Sequence, residues 1–151
     1  MRAFGLVVLS ILFVGGCSLA NYVVPAYAKL DFVVSEEVNP DLSGRPSPVV
    51  IKVYELSSRT LFENHQFFEL YDNPKNVLGP DLINIEEFEF YPGTTHSYDV
   101  SMEPGVSYVG VLVAYRDLSN ARWREIIEVD NSGYESYEAD IGRLAISVIN
   151  K

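Results

Sequence analysis

The 151-residue chain is poor in cysteine and in basic side chains. Its one cysteine, Cys17, has no partner for an intramolecular disulfide. Eleven lysines and arginines stand against 21 aspartates and glutamates, which gives a net charge of −10 at pH 7. This balance argues against a nucleic-acid ligand, because nucleic-acid affinity rests on basic side chains that contact phosphate. The apolar run at residues 3–14 is also too short to cross a bilayer, which takes about 20 helical residues.

The N-terminus has the order of an export signal that ends at a cysteine. Arg2 precedes the apolar run, and Gly15 and Gly16 stand directly before Cys17. A basic residue, a short apolar segment and small residues before a cleavage site are typical of secretory signals. The order resembles a bacterial lipobox, in which the cysteine is lipidated and the preceding segment is removed. We therefore expect residues 1–16 to be a signal peptide, Cys17 to carry a diacylglycerol and an N-acyl chain, and residues 17–25 to form a lipidated tether.

Two other interpretations of this segment stay open. It could be an ordinary secretory signal with a cysteine near its end, or a buried N-terminal helix. Under the lipoprotein interpretation, Ser18 follows the cysteine where an inner-membrane retention signal usually has Asp. In a Gram-negative cell this predicts a lipid anchor in the outer membrane, on its periplasmic face.

The remaining residues have the composition of one folded domain. Removal of residues 1–16 leaves 135 residues and a net charge of −11, because Arg2 is the one charged residue in the signal. Hydrophobic residues make up 48% of the chain and aromatic residues 13%, which argues against disorder. We predict a single β-sandwich domain over residues 26–151.

Short segments with strand periodicity recur along this domain. Alternating or β-branched apolar residues, separated by Gly, Pro and Asn turns, predict an all-β sandwich of about eight strands. The segment at 107–115 is almost entirely apolar, which is typical of a central strand. The predicted strands lie at residues 29–34, 49–56, 83–90, 94–102, 107–115, 123–129, 137–141 and 144–149.

One region near residues 58–79 departs from the two-residue period. The apolar residues of 60–71 have a spacing closer to that of a helix, and Asp72, Asn73 and Pro74 indicate the start of a second short helix through Leu78. We predict a small helical insertion that packs on one edge of the sandwich. Its aromatic residues are expected to be core rather than a ligand site.

The connection between the first two strands, residues 35–48, is the strongest candidate binding segment. It is longer than the roughly two to five residues usual in a hairpin. Three prolines stiffen it, and Gly44 permits a chain reversal. We expect Val38 and Leu42 to be exposed apolar residues. A stiff loop loses little conformational entropy on binding, although a plain connection without a partner is equally consistent with its composition.

Several features occur together in an order that resembles a known family. The strand Val49–Leu56 is followed by the aromatic helical insertion, a Pro-Gly turn, an apolar segment and a Trp-Arg pair. With the lipobox, this order is similar to the type VI secretion system outer-membrane lipoproteins, the TssJ family, over nearly the whole chain. The segments that carry the resemblance are residues 49–56, 61–78, 92–93, 108–118 and 123–124.

This resemblance implies a transthyretin-like sandwich that binds the periplasmic C-terminal domain of the inner-membrane protein TssM. The family contacts that partner chiefly through the loop between strands 1 and 2. Val38 and Leu42 would then be apolar anchors, with Asp41 and Arg45 at a polar rim. The matching partner-binding residues are Val38, Asn39, Pro40, Asp41, Leu42, Ser43, Gly44, Arg45, Pro46, Ser47 and Pro48.

Catalytic motifs are not apparent in the sequence. His65 and His96 lie in different predicted elements without metal-ligand spacing, and no serine stands in a G-x-S-x-G motif. We expect no enzymatic activity, no metal and no cofactor besides the lipid on Cys17. Two other functions stay open: a periplasmic module that binds a small ligand or acts as a chaperone, and an envelope hydrolase.

Overall fold

The computed structural model describes residues 26–130 and 133–151. The predicted signal peptide, the tether and Cys17 lie outside the described residues. Eight strands in these ranges form two antiparallel-rich sheets that pack face to face, which confirms the predicted all-β sandwich. The strands are β1 (Tyr27–Val34), β2 (Val49–Leu56), β3 (Leu82–Phe90), β4 (Thr95–Ser101), β5 (Tyr108–Val113), β6 (Arg124–Glu128), β7 (Tyr134–Ile141) and β8 (Ile146–Asn150).

The two sheets have the strand orders β4-β1-β7-β8 and β3-β2-β5-β6. Strands β1 and β7 pair in parallel, with Tyr27 opposite Tyr134, and the other pairs are antiparallel. Alternate residues of each strand face the space between the sheets, as the two-residue side-chain period requires. In β1 this places Leu30, Phe32 and Val34 in the buried core.

The predicted helical insertion is present between β2 and β3. It consists of α1 (Thr60–Asn64), α2 (Phe67–Asp72) and α3 (Pro74–Leu78), followed by a 3-10 turn at Gly79–Asp81. Pro74 occupies the first turn of α3, where its missing N–H has no intrahelical acceptor to lose. The chain is extended at His65 and Gln66, so the segment at 60–71 forms two helices rather than one.

The insertion lies on the outer face of the second sheet, and the prediction that it packs on one edge is wrong. Tyr54 and Leu56 of β2 and Leu112 of β5 point outward and form a second core with Phe62 and Leu70 of the insertion. This explains why β2 and β5 are apolar on both faces. It also confirms that most aromatic residues of the insertion are core, although Phe68 is exposed.

Contacts from β5 and β6 are among those that position the insertion on this sheet. Gly110 of β5 leaves room for the ring of Phe62, which would lie 2.7 Å from a Cβ atom at residue 110. Arg124 of β6 donates hydrogen bonds from Nη1 to the carbonyl oxygens of Phe62 and His65, at 2.9 and 2.7 Å. Its guanidinium also lies 4.6 Å from the ring centroid of Trp123. Trp123 itself is half-buried and contacts both cores.

Among residues 26–130 and 133–151, no helix is long and apolar enough to cross a bilayer.

Candidate partner-binding site

The 35–48 loop lies at one end of the sandwich and folds back on itself. The backbone N–H of Ser47 donates to the carbonyl oxygen of Val38 at 3.1 Å, which closes the base of the loop. Val38 is completely buried in the main core, so the expectation that it is an exposed apolar anchor is wrong. A valine with no exposed surface stabilises the loop from below and leaves no side-chain area for a partner.

Asn39 connects the base of the loop to two other segments. Its backbone N–H donates to the carbonyl oxygen of Arg143 at 3.0 Å. Its side-chain nitrogen donates to the carbonyl oxygen of Pro48 at 2.7 Å, and its side-chain oxygen accepts from the backbone N–H of Arg116 at 2.8 Å. Asn39 has a φ of +50°, in the left-handed region, where asparagine is among the more tolerant residues. The residue is buried and structural.

Asp41 fixes the tip of the loop, which we define as residues 40–46. Its Oδ1 accepts from the backbone N–H groups of Ser43 and Arg45, at 2.8 and 3.0 Å. Its Oδ2 accepts from Nε of Arg45 and forms an ion pair with Nη2, both at 2.8 Å. The Arg45 backbone N–H and then the Arg45 side chain are the main causes that lower the pKa of Asp41. Gly44, with φ of +77°, completes the reversal.

Leu42 is the apolar residue that the tip presents to solvent. Its relative exposure is 110%, so it has no contact area with the rest of the fold, and this confirms its expected exposure. A leucine held in water by a hydrogen-bonded turn retains its full apolar area for burial against another molecule. Full burial of such a side chain contributes about 1.5–3 kcal/mol.

An open groove of about 850 Å³ lies beside the tip. The tip forms one wall of this groove through Pro40, Asp41, Leu42, Ser43 and Arg45. Arg116 and Asp117, which follow β5, form the other wall together with Arg143 and Leu144, which precede β8. Three of the chain's eleven basic residues therefore meet at this end of a strongly acidic protein.

The predicted partner-binding residues divide into an exposed group and a buried group. Leu42, Ser43, Gly44, Arg45, Pro46 and Pro48 are exposed, and Pro40 and Asp41 are half-buried. Val38, Asn39 and Ser47 are buried and hold the loop in place. Arg116, Asp117, Arg143 and Leu144 were not predicted, because their proximity to the tip arises from the fold and has no local sequence signal.

The two histidines take structural positions. The ring of His96 stacks on Phe90 with centroids 4.1 Å apart, and Nδ1 of His65 lies 3.2 Å from Oε2 of Glu69 on the insertion. Within residues 26–130 and 133–151, no group of three or more His, Cys, Asp or Glu side chains is placed to hold a metal ion.

Glu55 is the one buried carboxylate on the core-facing side of β2. Its Oε1 lies 3.4 Å from the hydroxyl of Tyr98, and its Oε2 has no close hydrogen-bond partner among the described residues. Burial raises the pKa of Glu55. The side chain lies near the end of the sandwich opposite the 35–48 loop, since it stands one residue before the end of β2. It does not contribute to the groove.

The described residues thus form a β-sandwich that presents an apolar-tipped loop beside a groove lined by charged side chains. The family model described as "Type VI secretion lipoprotein, VasD, EvfM, TssJ" matches residues 26–144. The chain therefore belongs to the type VI secretion lipoprotein family. This confirms the resemblance that the order of its sequence features indicates. No curated protein sequence matches the chain.

Solved structures share this fold. The T6SS lipoprotein TssJ1 from Pseudomonas aeruginosa superposes with a TM-score of 0.82 at 27% identity, over 85% of this chain and 98% of that one. Serratia marcescens Lip, a membrane-bound component of the type VI secretion system, has a TM-score of 0.70 at 23% identity, over 85% of this chain and 99% of that one. A chain of the structure described as the TssM C-terminal domain from EAEC has a TM-score of 0.67 at 17% identity, over 82% of this chain and 97% of that one.

Proposed function

We propose that this protein is an outer-membrane-anchored periplasmic lipoprotein of the type VI secretion membrane complex. In this proposal, residues 40–46 dock the periplasmic C-terminal domain of the inner-membrane protein TssM. Family membership supports the assignment to the secretion system. One solved chain with the same fold comes from a structure described as the TssM C-terminal domain. The presence of the two in one structure supports TssM as the class of partner.

The observation that carries the docking site is the full exposure of Leu42 on a pre-organised tip. Asp41 accepts three hydrogen bonds within the tip, and Asn39 joins its base to the segments at Arg116 and Arg143. An interface gains affinity when the loop that enters it is already ordered, since less conformational entropy is lost on binding. Full burial of a leucine side chain against a partner contributes about 1.5–3 kcal/mol.

The lipid on Cys17 supplies the other half of the mechanism. Residues 17–25 would tether the sandwich to the periplasmic face of the outer membrane, while TssM is held in the inner membrane. Confinement of both partners to one compartment raises their effective concentration, so a modest pairwise affinity is sufficient for assembly. One acyl chain gives only marginal membrane binding, whereas the three chains of a mature lipoprotein give stable attachment.

The test is a calorimetric titration of the detergent-purified full chain with the periplasmic C-terminal domain of the TssM-like protein encoded in the same genome. A second sample has residues 40–46 replaced by a short Gly-Ser turn. This variant keeps Val38, Asn39, Ser47 and Pro48, so the core and the base of the loop remain intact. We expect saturable binding by the native chain and none by the variant.

Equal binding by the two proteins would place the interface elsewhere, and no binding by the native chain would leave only the fold and family. Membrane attachment has its own test. Replacement of Cys17 with serine should release the protein from the outer-membrane fraction, whereas retention in that fraction would contradict the lipid anchor.

A further inference from the structure

Arg116 is a cation without a partner of its own. Its guanidinium has no ion pair or hydrogen bond within residues 26–130 and 133–151, and its side chain is exposed on the wall of the groove. Lys75, on α3, is the comparable case elsewhere in the same ranges. The other basic side chains there contact carboxylates or, for Arg124, backbone carbonyl oxygens. The fold therefore does not use the charge of Arg116 internally.

The charged neighbours of Arg116 are already occupied or distant. Asp41 is engaged by Arg45 at 2.8 Å. The carboxylate of Asp117 accepts from Nδ2 of Asn120 at 3.1 and 2.9 Å, within its own turn. Arg143 lies 4.0 Å from Glu37, and both side chains are more than half exposed. Asn120 is uncharged, so Asp117 keeps its negative charge, and the groove holds three guanidiniums and two carboxylates, with Arg116 the guanidinium that has no ion pair among the described residues.

The backbone of Arg116 is nevertheless tightly placed. Its N–H donates to the side-chain oxygen of Asn39 at 2.8 Å, so the start of the Arg116 wall is joined to the base of the loop that carries Leu42. The apolar tip and the backbone that carries the Arg116 side chain consequently lie on two walls of one groove and are joined through Asn39. A guanidinium is suited to bidentate recognition of a carboxylate, which adds directional specificity.

We infer that the groove recognises an acidic segment of the docked protein, in which a carboxylate pairs with Arg116 while a neighbouring apolar surface covers Leu42. This inference rests on the proposed function and names the chemistry of its partner. The charge of the remaining surface favours the same orientation. A chain of net charge −10 repels an acidic segment over most of its surface, whereas this groove is lined by three arginines against two aspartates.

The test compares charge reversals at the two unpaired cations, with the detergent-purified full chain and the periplasmic C-terminal domain of the TssM-like protein as the probe. Arg116→Glu should weaken binding by about 30-fold or more, as expected when one partner of an interfacial charge pair is replaced. Lys75→Glu makes the same change in net charge on α3, away from the groove, and should change the affinity less than about twofold if only general electrostatics act there. Both variants should keep the native melting temperature, since neither side chain has an internal partner.

A reciprocal set of variants identifies the carboxylate. Each Asp and Glu of the TssM-like domain is replaced singly with Arg, and each product is titrated against Arg116→Glu. We expect one replacement to restore binding to that variant while it weakens binding to the native chain.

The outcomes separate this inference from the proposed function. If the native chain binds, but Arg116→Glu binds equally well or no reversal in the partner restores binding, the acidic-segment inference is wrong and the docking function stands. Equal losses in Arg116→Glu and Lys75→Glu would also overturn it, because they would report net charge alone. If the native chain does not bind, the proposed function fails and this inference fails with it.

Discussion

The side-chain oxygen of Asn39 accepts a 2.8 Å hydrogen bond from the backbone N–H of Arg116, which lies 77 residues later in the chain. This bond joins the loop after β1 to the segment after β5, and so connects the two sheets at one end of the sandwich. The same side chain donates to the carbonyl oxygen of Pro48. The shape of the groove therefore depends on one buried amide that lies inside a loop predicted to be a binding surface.

Replacement of Asn39 with alanine should lower both stability and partner affinity. The N–H of Arg116 and the carbonyl of Pro48 lose these partly buried hydrogen bonds, and each lost bond costs about 0.5–1.5 kcal/mol. Alanine is also less tolerant of the positive φ at this position. Chemical denaturation measures the stability, and amide hydrogen exchange at residue 116 should become faster. Unchanged exchange at that amide would show that the bond does not hold the loop.

Gly110→Ala should loosen the helical insertion. A Cβ atom there would lie 2.7 Å from the ring of the buried Phe62, which has little space to move, so we expect a loss of about 1–3 kcal/mol. Gly133→Ala is the matched control, because a Cβ atom at that position meets nothing within 4 Å. Thermal denaturation compares the two variants. A Gly110→Ala protein as stable as its control would contradict the close packing of Phe62 on β5.

Arg124→Met should destabilise the same insertion by a different route. The methionine keeps much of the apolar stem but removes the donors to the carbonyl oxygens of Phe62 and His65. Because hydrogen bonds from charged donors contribute about 1.5–3 kcal/mol each, a loss of this order in denaturant unfolding is expected. Limited proteolysis should cut first within residues 60–72. A native proteolytic pattern would argue that Arg124 is not needed to hold α1.

Because of Glu55, we predict that the folded protein is more stable under mildly acidic conditions than at higher pH. Burial raises its pKa in the folded protein above the ordinary value of 4.5, so the folded state binds this proton more tightly than the unfolded state. Its contribution to stability is therefore complete below pH 4.5 and is lost as the pH rises through the raised pKa. In Glu55→Gln, urea denaturation should show a smaller decline in stability over that range. An identical decline would assign it to other groups.

Asp31 has the opposite effect on the pH dependence of stability, because its pKa is lowered in the folded protein. Hydrogen bonds from Ser97 and then Lys151 lower the pKa of Asp31 to about 2. Its contribution is present above its ordinary pKa of 3.8 and is lost as the pH falls toward 2. Asp31→Asn should therefore weaken the protein at neutral pH and reduce its sensitivity to acid in the same denaturation series. If the variant retained the native acid profile, the Ser97 and Lys151 contacts would not govern it.

The strands were largely predictable because each has a clear period and a turn at its end. The segment Val49–Leu56 was predicted at its exact bounds, and the central position of the apolar segment at 107–115 is confirmed by β5. The start of β7 at Tyr134 was missed by three residues, since Tyr134 is exposed and its neighbours are polar. The location of the insertion on a face rather than an edge was also missed, although the two-sided apolar character of β2 is the signal that could have indicated it.

The candidate site was only partly predictable. Local composition identified the 35–48 loop and the exposure of Leu42, but it could not distinguish a buried valine from an exposed one in a polar segment. Val38 lies in the core because the loop folds back over the end of the sandwich, through contacts with residues far along the chain. The groove residues Arg116 and Arg143 meet the loop for the same reason, so their role depends on the tertiary fold.

The most direct test of the docking account is the affinity of Leu42→Ser for the periplasmic domain of the TssM-like protein, measured by calorimetry beside the native chain. Leu42 is fully exposed, so this substitution should leave the melting temperature unchanged. We predict a loss of about 1.5–3 kcal/mol in binding free energy, the value of one buried leucine side chain. Equal affinities of the two proteins at equal stability would contradict the claim that the tip of the loop is the partner-binding surface.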